Sequence, residues 1–151
     1  MGCVRPSALT GFVSTAYTIS MHSIFVYLLV SAFIFSVIDF IWLAFIAKKL
    51  YRKYIGFLLA DKPNLPAAIV FYVVYIIGLN VFVIHPATMA HHPVAYAAGY
   101  GGLFGLVCYA TYDLTNQATV KNWPKLITGI DLLWGMGISA VTAALTLQFL
   151  T

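Results

Sequence analysis

Charge is what this chain has least of. Only 8% of its 151 residues are Asp, Glu, Lys or Arg, against roughly a quarter in a soluble globular domain, which excludes an ordinary water-soluble fold. Cysteine is almost absent: Cys3 and Cys108 have neither metal nor redox spacing, so a disulfide framework and a cysteine-based metal site are excluded. There is no nucleotide-binding glycine loop and no evident nucleophile. His85, His91 and His92 cluster without a neighbouring carboxylate or cysteine, so no metal and no cofactor is expected. Met1-Gly2-Cys3 opens like a myristoylation signal, but Pro6 stands where that signal needs Ser or Thr.

What is present is apolar surface, at 62% hydrophobic residues and a mean hydropathy of +0.95. An all-α polytopic membrane protein follows, because crossing ~30 Å of hydrocarbon takes about 20 helical residues at 1.5 Å each. The chain has room for four transmembrane helices in one bundle, with spans at about 24–47, 66–84, 94–119 and 126–149. Residues 1–20 are weakly apolar, carry Arg5 as their only charge and contain Pro6 and Gly11. They read as an N-terminal extension, disordered or upstream of a start at Met21, ahead of a four-helix domain over 21–151.

Between the first two spans Lys48, Lys49, Arg52 and Lys53 fall on one side of a helical period, and Leu50, Tyr51, Tyr54, Ile55 and Leu58 on the other. Two readings are open: a short interfacial amphipathic helix with its cations on anionic headgroups and its tyrosines at the interface, or a plain extension of the first span. Asp61 to Pro66 is a turn, and His85 to Pro93 a loop with two prolines. Tyr72 and Tyr75 on the second span read as packing or interfacial residues. Gly101 and Gly105 have the spacing that lets helix backbones approach, read first as packing within one chain and second as the seam of a homo-oligomer.

Seven of the eight Lys and Arg residues lie in the stretches 48–65 and 120–125, and the loop between spans two and three has none. By the positive-inside rule both basic loops are expected in the cytoplasm and both termini outside. The net charge of +4 is divided among loops, which favours topology and contact with the lipid bilayer over a nucleic-acid partner.

Against this background three aspartates interrupt the spans. Asp39 lies nine residues before Lys48, Asp113 eight before Lys121 and Asp131 six after Lys125. At 1.5 Å per residue they sit roughly 13, 12 and 9 Å inside the basic edge, in one layer. Turning them into the bundle is the least costly way to keep three carboxylates out of lipid. Tyr109, Asp113, Asn116 and Gln117 share a side of the third span, and Thr128, Asp131, Gly135, Ser139, Thr142 and Thr146 form a stripe along the fourth. Asp39 is followed at three residues by Trp42, and Asp131 by Trp134, an echo on helices of opposite direction such as occurs in inverted-repeat transporters.

Three carboxylates at one depth repel one another when ionised, so a shared proton or a bound cation is one expectation. The other is structural: each Asp bonds an indole or a tyrosine hydroxyl and fixes helix register. The candidate binding or proton-relay residues are Asp39, Asp113, Asp131 and Asn116. Trp42, Trp134, Tyr109 and Tyr112 would wall the site, and no residue is assigned a catalytic role.

The segments Asp39-Phe40-Ile41-Trp42-Leu43, Gly102 to Asn116, Lys121-Asn122-Trp123-Pro124 and Ile130-Asp131-Leu132-Leu133-Trp134-Gly135 together resemble a family of bacterial four-helix inner-membrane proteins that is a domain of unknown function. The resemblance runs from about Met21 to the C-terminus and implies a multi-pass protein of the bacterial inner membrane, with no activity to carry over. Two departures are Gln117, where an apolar residue is expected, and the first twenty residues. The functional expectations in order are a small transporter or solute- or cation-binding protein using the aspartates, a membrane-embedded lipid-modifying enzyme or accessory factor, and a non-catalytic scaffold.

Overall fold

The computed structural model describes the backbone of residues 7–60 and 62–151 and the side chains of 24–60 and 62–151. Helix α1 (Ser7–Trp42) passes through a π-helical turn (Leu43–Ala47) into α2 (Lys48–Ile55) and a 3₁₀ turn (Gly56–Leu58). Helix α3 (Leu65–Leu79) passes through a second π-helical turn (Asn80–Ile84) into α4 (His85–Ala87), followed by α5 (Pro93–Thr119) and α6 (Lys125–Leu150). Four helical stretches are long and apolar enough to cross a membrane: Ile24–Leu58, Leu65–Ala87, Pro93–Thr119 and Lys125–Leu150. The expected spans are all present, the first two being longer than the sequence indicated.

The local signals act where the chain turns. Asn64 caps α3, its side-chain oxygen accepting from the Ala67 N–H at 3.2 Å, while Pro66 occupies the first turn, where a missing N–H costs nothing. Pro93 does the same for α5. Asn122, at φ 63°, takes the left-handed conformation that reverses the chain between α5 and α6. His85-Pro86-Ala87, read from its proline as loop, is helical and continues the π-helical turn, with helical dihedrals at Ile84 and His85 and the His85 N–H bonded back to the Asn80 carbonyl. Residues 1–6, with the failed lipidation pattern, and Asp61 lie outside the described residues. The rest of the expected extension is described only as backbone of α1.

Of the two readings of the basic segment, the continuous one is built. Ala47 and Lys48 both have right-handed helical dihedrals, and the Lys48 N–H bonds back five residues to the Leu43 carbonyl. That π-helical turn sets the register. In a regular α-helix eight residues overshoot two turns by about 80°, and a π-helical turn absorbs roughly one extra residue and takes the overshoot back. Ala47, Tyr51 and Ile55 thereby continue the inward face of Phe35 and Asp39, with Ala47 and Ile55 buried and the four cations exposed.

Packing is tightest between α5 and α6. A Cβ on Gly105 would come within 2.0 Å of the Gly135 carbonyl oxygen, and one on Gly101 within 2.8 Å of that of Ser139, so these helices touch backbone to backbone, as small residues in membrane helices permit. The stripe Thr128, Asp131, Gly135, Ser139, Thr142, Thr146 is the buried face of α6. Away from the basic loops Leu79, Val83, Ile84, Ala97 and Leu147 form one apolar cluster, and the buried polar groups there are uncharged, among them Ser31, Asn80, Thr142 and Thr146. Phe33, Phe40, Phe45, Phe82, Leu133 and Phe149 point outward, each about two-thirds exposed, an apolar exterior suited to lipid. The aspartates lie toward the basic loops.

Candidate functional site

Asp39, Asp113 and Asp131 are all buried, at 7%, 0% and 5% relative exposure. They come from three different helices, and two of the three are tied to the protein. Asp39 accepts from the Tyr72 hydroxyl of α3 through Oδ2 and from the Trp134 indole of α6 through Oδ1 at 3.4 Å. Asp131 accepts from the Tyr51 hydroxyl of α2 at 2.7 Å. Asp113 differs: among the described residues neither of its oxygens has a hydrogen-bond partner. It is within coulombic reach of Asp131 and of Tyr51.

The repeated Asp-x-x-Trp works across helices rather than within each motif. Because α1 and α6 run in opposite directions with the echo at one level, Trp42 and Trp134 meet as a face-to-face stack, centroids 4.2 Å apart and planes at 10°. Trp134 then donates to Asp39, not to its own Asp131, while the Trp42 indole N–H, close to Tyr51, makes no hydrogen bond of good geometry among the described residues. Tyr109 is near Asp39, Asp131, Tyr75 and Tyr51. Gly135 makes its room: a Cβ there would stand 2.2 Å from the Tyr109 ring.

Above this layer the bonding continues with neutral groups. Ser139 donates to the Gly135 carbonyl at 2.7 Å, so the Tyr75 hydroxyl, 2.6 Å from Ser139 Oγ, is the donor of that pair. Asn80 donates to Ser31 Oγ and to the Ile76 carbonyl, both at 2.8 Å, joining α1 to the π-helical turn after α3.

The remaining expected site residues are placed less centrally. Tyr112 is 61% exposed and its ring meets that of Trp123 edge-on, centroids 6.0 Å apart, on the outside of the bundle. Asn116 is half-buried beside Tyr112. Sequence reasoning missed Tyr51 and Tyr72, the donors to Asp131 and Asp39, because both were assigned to packing or the interface. Tyr72 carried a usable signal, being one turn before the buried Tyr75 and Ile76 on the same span, whereas Tyr51 carried none without the π-helical turn. No group of three His, Cys, Asp or Glu among the described residues is arranged to hold a metal ion.

Two cavities, of about 570 Å³ and about 380 Å³, open on the bundle: one between α1 and α3 around Asn80 and His85, the other lined by Tyr75, Cys108 and the expected wall residues Tyr109 and Tyr112. Neither is lined by an aspartate. Chemically the layer offers a carboxylate that has no hydrogen-bond partner among the described residues, beside groups that are already engaged.

Searches of the curated proteins and of the solved structures each find no match. The family model described as Predicted membrane protein (DUF2177) matches residues 23–148, from just before the first side chains described to the last turn of α6, and the chain belongs to that family, whose function is unknown.

Proposed function

We propose that this chain is a small transport protein in which Asp113 takes up a proton or a bare monovalent cation, with Asp131 as its exchange partner. The observation that carries the reading is the difference among the three carboxylates. Asp39 and Asp131 have hydroxyl or indole donors, which accounts for them as tethers of helix register. Asp113 is fully buried with neither oxygen partnered among the described residues, so tethering to them gives no account of it. A charge at such a depth costs at least a few kcal/mol, and a proton on the carboxylate or a cation beside it removes that cost.

The family resemblance supports a bacterial inner-membrane location, and the charge bias of the loops supports an orientation with the basic loops in the cytoplasm and both termini outside. Ions would then reach Asp113 from the cytoplasmic side by way of Tyr51 and Asp131. Reconstituted liposomes carrying a pH-sensitive dye test the reading. Wild-type protein should relax an imposed proton or cation gradient, and Asp113→Asn should abolish that flux. A wild type without flux, or an unaffected variant, removes the proposal.

One observation favours a second reading. The Tyr51–Asp131 pair lies next to the basic helix, where a hydroxyl and a carboxylate could act as acid and base on a lipid headgroup. Lipid extracts of deletion and wild-type cells compared by mass spectrometry separate the two, since only the enzyme reading expects them to differ.

A further inference from the structure

The eight residues of α2 divide cleanly between two environments. Lys48, Lys49, Arg52 and Lys53 are exposed, with Lys53 Nζ 5.1 Å from the Tyr54 ring centroid. On the opposite side Ile55 is buried and Tyr51 holds Asp131. The helix is joined to α1 through the π-helical turn without a break in helical dihedrals, so the two faces are fixed relative to one another. The segment follows the apolar stretch that begins at Ile24, which places its cations at the level of the headgroups.

We propose that the outer face of α2 is a binding site for anionic phospholipid headgroups, and that a lipid seated there holds Tyr51 on Asp131. The first part follows from charge complementarity: clustered Lys and Arg at a membrane edge are drawn to phosphate, and each adds to the attraction. The second follows from stiffness, because headgroups that pin the cations also pin the tyrosine one helical face away. The inference does not depend on which ion Asp113 carries, or on whether it carries one.

The test uses the full chain in two readouts. In the first, protein from micelles containing both phosphatidylglycerol and phosphatidylcholine is analysed by native mass spectrometry. Phosphatidylglycerol should be retained preferentially, high salt should weaken the retention, and Lys49→Gln/Lys53→Gln should lower affinity at least about tenfold. In the second, a Trp123→Phe background leaves Trp42 and Trp134 as the fluorophores, and the protein is placed in nanodiscs of rising phosphatidylglycerol content. Emission should shift and saturate in this background. Adding Tyr51→Phe should remove the shift while leaving phosphatidylglycerol retention intact. Equal retention of the two lipids, or retention unaltered in Lys49→Gln/Lys53→Gln, overturns the site. A shift that persists with Tyr51→Phe overturns the coupling. Because neither readout measures flux, both can succeed where the transport assay fails.

Discussion

The Tyr51 hydroxyl donates to Asp131 Oδ1 at 2.7 Å, joining the basic helix to the polar layer of α6. A hydrogen bond to a charged acceptor contributes roughly 1.5–3 kcal/mol, and a buried carboxylate deprived of its donor costs a similar amount. Tyr51→Phe should therefore lower the melting temperature in detergent. In a double-mutant cycle with Asp131→Asn the two effects should be non-additive. Full additivity would show that the pair does not interact.

Asp113 should behave in the opposite way. Since no side chain bonds it, Asp113→Asn should leave the melting temperature unchanged or raise it, while Asp39→Asn, which weakens the acceptor of Tyr72 and Trp134, should lower it. Thermal unfolding of the two variants side by side decides this. A large loss of stability for Asp113→Asn would return that residue to the structural class.

The glycines make a graded series. Gly105→Ala would drive a methyl into the Gly135 carbonyl, and Gly135→Ala would drive one into the Tyr109 ring. Overpacking of this kind costs about 1–3 kcal/mol, and Gly105 should be worse because backbone cannot rotate away. Gly99→Ala and Gly137→Ala meet nothing within 4 Å and should be neutral or stabilising by up to about 1 kcal/mol from helix propensity. Unfolding in detergent should rank the four variants in that order.

Asn80→Ala removes the bond from α3's π-helical turn to Ser31 on α1. Interhelical hydrogen bonds in membranes contribute about 0.6 kcal/mol on average and at most about 1.7. The expected loss is within that range, and one well above it would mean that Asn80 also supports the turn itself.

Much of this architecture was legible in the sequence, because length, hydropathy and the Pro and Gly punctuation act locally. Four spans, the inward turn of the aspartates and the glycine seam all follow from patterns within one helix. The partners of the aspartates were not legible. Tyr51 faces Asp131 only because the π-helical turn at Leu43–Ala47 rotates α2 by nearly a residue, and no propensity in Leu43-Ala44-Phe45-Ile46-Ala47 announces that turn. That Trp134 bonds Asp39 and not Asp131 was equally hidden, because helical spacing gives neighbours on one helix and is silent about the facing one. The exposure of Tyr112 was hidden for a related reason: in an apolar span the lipid-facing and bundle-facing sides share one composition.

The backbone contact between α5 and α6 also assigns the polar layer to two mechanical bodies. Helices that meet carbonyl to glycine cannot slide, so Asp113 and Asp131 ride on one stiff hairpin at a constant separation. Asp39 belongs to α1, which is tied to that hairpin by the Tyr51–Asp131 bond of its continuation α2 and, at the level of Asp39, by a long indole bond beside two flat, stacked rings. Relative displacement of α1 and the hairpin would therefore register first as shear between Trp42 and Trp134, before the geometry between Asp113 and Asp131 changes at all.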